Sequence, residues 1–123
     1  MKSPIENRFG SVFVPVSDIR RAIGWYSRIL GLPTQDISDA GKVYSIPMQG
    51  EVGLILDGHK EVKNSSQPLF FWWTKDIQQT RQFLIENEVR IVQDVEDIGH
   101  VITITFKDPD GNLLMVCQSK PSS

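Results

Sequence analysis

This chain cannot make a disulfide within itself. Cys117 is its single cysteine, and a lone thiol fits a reducing compartment. It also has no excess of one charge: 13 Lys and Arg face 15 Asp and Glu, for a formal charge of −2. Beyond Arg20-Arg21 there is no basic run, which argues against nucleic acid as the main partner. No stretch approaches the roughly 20 apolar residues of a membrane span. Residues 1–10 lack the apolar centre of a secretory leader. The expectation is a soluble, cytoplasmic protein with no membrane partner. Histidine is scarce as well, with only His59 and His100.

What is present is ordinary for a globular fold. Hydrophobic residues make up 40% and charged residues 23% of 123 positions, enough for a core and expected as a single domain over 1–123. The closing stretch is the most legible. Val101 to Phe106 is a β-branched run, Asp108-Pro109-Asp110-Gly111 is a turn, and Leu113 to Cys117 runs back as an apolar strand. Pro presets φ at the second turn position and Gly tolerates positive φ at the end. The turn sets the register of both strands and so the face to which Met115 points.

Taken from the start, residues 9–16 read as a strand. Val12, Val14 and Val16 lie on one face; Ser11, Phe13 and Pro15 lie on the other. Pro15 cannot donate to a ladder, which suggests an edge or a strand end. Ser17-Asp18 offers an N-cap for a helix over 19 to about 30, with Ile19, Ile23 and Tyr26 at helical spacing and Gly31 at its C-terminal stop. Residues 33–41 read as loop or irregular strand. Residues 42–48 and 51–57 are strands around the Gln49-Gly50 hairpin signal, with Glu51 and Asp57 expected as solvated ends. Residues 58–67 are polar and linker-like. A strand over 68–73, a helix capped by Asp76 over 77 to about 87, and strands over 89–93, 101–106 and 113–117 follow. The tail from Ser119 is expected to fray.

The order is β-α-β-β, then β-α-β-β-β. A shift of 58 residues superposes Asp18 on Asp76, Ile19 on Ile77, Trp25 on Phe83 and Tyr26 on Leu84. Two copies of so long a unit point to a pseudo-symmetric domain.

VSDIRRAIGWYSRILGL resembles the first-module signature of the vicinal oxygen chelate superfamily, which includes glyoxalase I, bleomycin and fosfomycin resistance proteins and extradiol dioxygenases. FKDPDGNLLMV resembles its closing signature. The match spans about residues 9 to 118. The resemblance implies an α+β fold of two βαβββ modules, about 9–57 and 68–118, joined by a linker of about 58–67. Their mixed sheets curl into a cleft with the helices outside. It also implies pairing into a homodimer, to which the aromatic run Phe70 to Trp73 is suited.

The family's enzymes bind a divalent metal at recurrent positions, which fall here on Ser11, Leu69 and Met115. Leu has no donor atom, Ser is a poor neutral ligand, and a thioether suits soft ions. No metal, cofactor or catalytic residue is therefore assigned. His59 reads as solvated and His100 as structural or rim. Cys117, on Met115's face, reads as a small hydrophobe, with a reactive thiol as the alternative.

With the modules curled in this way, the cleft is expected to hold Ser11, Phe13, Leu69, Phe71, Trp73, Thr103, Thr105 and Met115, with Leu113 and Cys117 beside them. Two outcomes stand side by side: a pocket for a small, partly apolar molecule, or side chains collapsed inward. For function, one reading is a metal-free binding protein; the alternative is a metal-dependent lyase or dioxygenase with displaced ligands. A structural or regulatory module is a third.

Overall fold

The computed structural model describes residues 2–33, 36–37, 40–59 and 61–120. The loop expected over 33–41 lies in part outside the described residues, as do Pro121 to Ser123 of the tail. Nine elements follow one another: β1 (Ser11–Pro15), α1 (Ile19–Ile29), β2 (Val43–Ile46), β3 (Gly53–Asp57), β4 (Phe71–Trp73), α2 (Ile77–Glu86), β5 (Arg90–Asp97), β6 (Val101–Lys107) and β7 (Leu113–Ser119).

They form two mixed sheets, ordered β1-β3-β2 and β4-β7-β6-β5. In each, the strand before the helix pairs in parallel with the strand that ends the sheet's sequence: Phe13 opposite Ile55, and Phe71 opposite Met115. The shift of 58 residues seen in the sequence thus has a structural counterpart. β1 is an edge strand, as Pro15 requires. β4 begins at Phe71 rather than 68. Even so, the N–H of Leu69 still reaches the Leu113 carbonyl at 3.0 Å. β5 runs on to Asp97 through two register shifts, which let a strand of mixed polarity follow the twist of β6.

Both helices begin where short acidic side chains accept the orphan N–H groups of a first turn. Asp18 takes Arg21 N–H at 3.1 Å and Asp76 takes Gln79 N–H at 3.0 Å. Each helix packs on one face of its sheet. Val14, Val16, Leu54 and Leu56 meet Ala22, Ile23 and Tyr26; Ile104, Phe106, Leu114 and Val116 meet Ile77 and Leu84, all buried in one cluster. Fully burying each such Leu or Ile stabilises by about 2 kcal/mol.

The closing turn joins the two sheets. Asp108 is 5% exposed. It accepts from Tyr26 Oη at 2.7 Å, from Asn112 Nδ2 at 2.8 Å and from the backbone N–H groups of Asp110 and Asn112. Asn112 also donates to the Pro15 carbonyl of β1 at 2.9 Å. On the outside, Asp110 accepts from Ser17 and Arg21 of the first half. Gly111 sits at φ 85, with the Asn64 carboxamide 2.9 Å from where a Cβ would stand. The positive φ favours glycine here, while the Asn64 side chain, being the end of a flexible group, could move aside for a Cβ.

Candidate functional site

The face of each sheet turned away from its helix is the candidate site. On the second sheet, strand pairing aligns side chains in rows across the strands. Phe71, Met115, Thr105 and Gln93 make one row, and Trp73, Cys117, Thr103 and Glu96 make the next. Alternation sends the intervening Trp72, Val116 and Ile104 to the helix side. The Trp72 ring there lies 6.1 Å from Tyr26. Phe71 and Trp73 meet edge to face at 4.8 Å. Trp73 and Met115 are thus on the same side of the sheet. On the first sheet, Ser11, Phe13 and Pro15 share a face with Gly53, Ile55 and Asp57.

The side chains on these faces have not collapsed. Trp73 is 64%, Phe13 60%, Phe71 45% and Leu69 37% exposed. Ser11 is exposed as well, while Thr105 and Met115 are half-buried. Thr103 is the departure from a lining role, at 3% exposure. Beside it, Cys117 is 2% exposed, and burial pushes its thiol above the ordinary cysteine value. Its Sγ lies 3.5 Å from Met115 Sδ. The protonated thiol of a small hydrophobe is the consistent reading.

The expected set is divided between the sheets. Phe71, Trp73, Thr103, Thr105 and Met115 come together on the second, with Leu69 just before β4. Ser11 and Phe13 stand on the first. A cavity of about 370 Å³ contains Phe13 but no member of the second sheet's set, and another of about 450 Å³ touches Trp73 from the side of α2.

One expectation is corrected. Asp57 is not a solvated strand end: it is 8% exposed, because β3 is the central strand and Asp57 lies between Pro15 and Val43 of its neighbours. His100 is exposed in the turn before β6, in keeping with the rim alternative of its reading. His59 and Glu51 are exposed, as their polar surroundings imply.

The donor set at the family's metal positions does not fit a divalent ion. Ser11 offers a neutral hydroxyl, Leu69 nothing and Met115 a thioether. Among the described residues no three His, Cys, Asp or Glu side chains gather. No reaction step is therefore derived through a metal.

Similar architectures are known. TnmS3, an antibiotic binding protein from Streptomyces sp. CB03234, is 23% identical over 97% of this chain and 100% of its own, with a TM-score of 0.74. A glyoxalase/dioxygenase from Nostoc punctiforme is 18% identical over 98% of this chain and 99% of its own, at 0.72. A superfamily member from Sphaerobacter thermophilus DSM 20745 is 21% identical over 93% of this chain and 98% of its own, at 0.70. At these identities the likeness establishes the fold alone. No curated protein matches. The family model that matches residues 8–116 is decisive, and the chain belongs to the Glyoxalase/Bleomycin resistance protein/Dioxygenase superfamily.

Proposed function

We propose that residues 1–123 act as one domain that binds a small, partly apolar molecule in a cleft between the open sheet faces, without a metal. The domain works as a homodimer, and a second copy shelters the cleft. The carrying observation is the pair of exposed aromatic side chains, Phe71 and Trp73, on the sheet face they share with Thr105 and Met115. Aromatic faces with a few hydroxyls suit stacking on a planar or apolar ligand. The antibiotic-binding description of the TnmS3 structure is in keeping with this reading. The ligand contacts are Ser11, Phe13, Leu69, Phe71, Trp73, Thr105 and Met115, with Thr103 beneath them.

The test is native mass spectrometry of the purified protein, paired with the same measurement on Trp73→Ala. The expected result is a co-purifying small molecule that the variant loses, with a stability change under about 1 kcal/mol, as suits a mostly exposed side chain. A loss of roughly 3–5 kcal/mol would instead identify Trp73 as core. Protein that carries nothing, and binds nothing from an extract of its own cells, would refute the reading.

A further inference from the structure

The cavity on the first sheet has a feature that an apolar binding surface does not need. Its walls are Phe13, Pro15, Asp57, Glu61 and Lys63, around about 370 Å³. Asp57 is more than nine-tenths buried. One carboxylate oxygen, Oδ1, is held by the His59 N–H at 2.8 Å. Among the described residues the other oxygen accepts no hydrogen bond, and Asp57 joins no ion pair. The residue as a whole is shielded, but this second oxygen is not among the fully buried unmatched atoms of the described residues, so it is open to a donor that enters the cavity Asp57 lines. The His59 contact fixes the orientation of the group, so a donor arriving at the free oxygen meets a preorganised acceptor.

We propose that this cavity takes the protonated amine of the ligand, with Asp57 as its anchor. The assignment rests on the binding function proposed above and names a chemical class for that ligand: an organic ammonium on an apolar body. Three features of the cavity favour an ammonium over other donors. Among the described residues, Glu61 adds a second carboxylate to the lining and Lys63 one cation, so the charged walls described are net negative. The Phe13 ring, 60% exposed on the same sheet face as Asp57, offers its π face to a cation. Phe13 and Pro15 are apolar walls, which suit an organic ammonium better than a strongly hydrated metal ion.

The probes are three small molecules of matched size: 2-phenylethylammonium, neutral 2-phenylethanol and anionic 3-phenylpropanoate. Amide shifts are followed by NMR at pH 7 and low salt. The ammonium is expected to bind at least about tenfold more tightly than the alcohol, the scale of a desolvated charge-assisted contact. Asp57→Asn keeps the shape and the His59 contact. It should abolish that tenfold advantage and leave the alcohol within about twofold, the scatter of a neutral surface change. Lys63→Ala should leave ammonium binding unchanged or tighter. If Asp57→Asn does not fold, Phe13→Leu serves instead and should weaken the ammonium alone, by about threefold. Equal affinity for ammonium and alcohol, a preference for the anion, or an ammonium affinity indifferent to Asp57→Asn overturns the assignment, while alcohol binding in the same titrations leaves the cleft reading standing. Binding of no probe also overturns it, and the cleft reading is then judged on the co-purified molecule alone.

Discussion

At the scale of single residues, Tyr26 and Asp108 tie the first half of the chain to the second. They come from opposite ends of the chain, and their 2.7 Å bond is buried. Burial first, then the negative charge of Asp108, push the Tyr26 phenol far above the ordinary tyrosine range. In the unfolded chain the phenol ionises near pH 10. The folded state keeps its proton longer, so the stabilisation is complete below about pH 10 and is lost as pH rises beyond it. Chemical denaturation at increasing pH should show stability falling above about pH 10 by up to about 1.4 kcal/mol per unit. Tyr26→Phe should lose about 1 kcal/mol at neutral pH and show a shallower alkaline fall. A variant with the same alkaline slope as the parent would show that Tyr26 is not the titrating group.

At the scale of elements, the two helices end in the same way but with different residues. After α1, Gly31 stands at φ 67, and the N–H groups of Gly31 and Leu32 return to the carbonyls of Arg28 and Ser27. After α2, the N–H groups of Glu88 and Val89 return to Ile85 and Leu84, with Glu88 at φ 58. This left-handed stop favours glycine, and the second helix does without one. Glu88→Gly should therefore stabilise by about 0.5–1 kcal/mol, read as a higher midpoint in denaturant; an unchanged or lower midpoint would contradict it. The same comparison shows what was legible in the sequence. Caps, helix faces and the closing turn were, because each rests on residues within one turn or one strand. The place of β3 in the middle of its sheet was not, because it depends on parallel pairing with a strand some 40 positions earlier. Asp57 was misread for that reason. Asp108 was read as a turn residue, while its bond to Tyr26 spans 82 positions and leaves no local pattern.

At the scale of the whole molecule, the open faces are what the proposed pairing would cover. Phe9, Phe13, Phe71 and Trp73 all stand well out into water, at 85%, 60%, 45% and 64% exposure. Single exposed apolar side chains are common, but aromatic residues grouped on sheet faces are the usual mark of a covered surface. β1 and β4 are also edge strands, each carrying one of these aromatic groups; an edge can meet another chain, though on β1 the Pro15 carbonyl is already taken by Asn112. A second copy can cover both faces at once, since one two-fold interface repeats each contact. Such pairing would also bring the Phe13 face of one copy nearer the Trp73 face of the other, although no single cavity spans the two sets in one chain. Light scattering at micromolar concentration should give twice the chain mass. Phe71→Glu places a charge in the proposed interface and should shift that mass to the monomer while the isolated chain keeps its fold by circular dichroism, because Phe71 lies outside the buried cluster. A monomer mass for the unaltered protein would leave the aromatic faces to the ligand alone, and the cleft would then have to close within one chain.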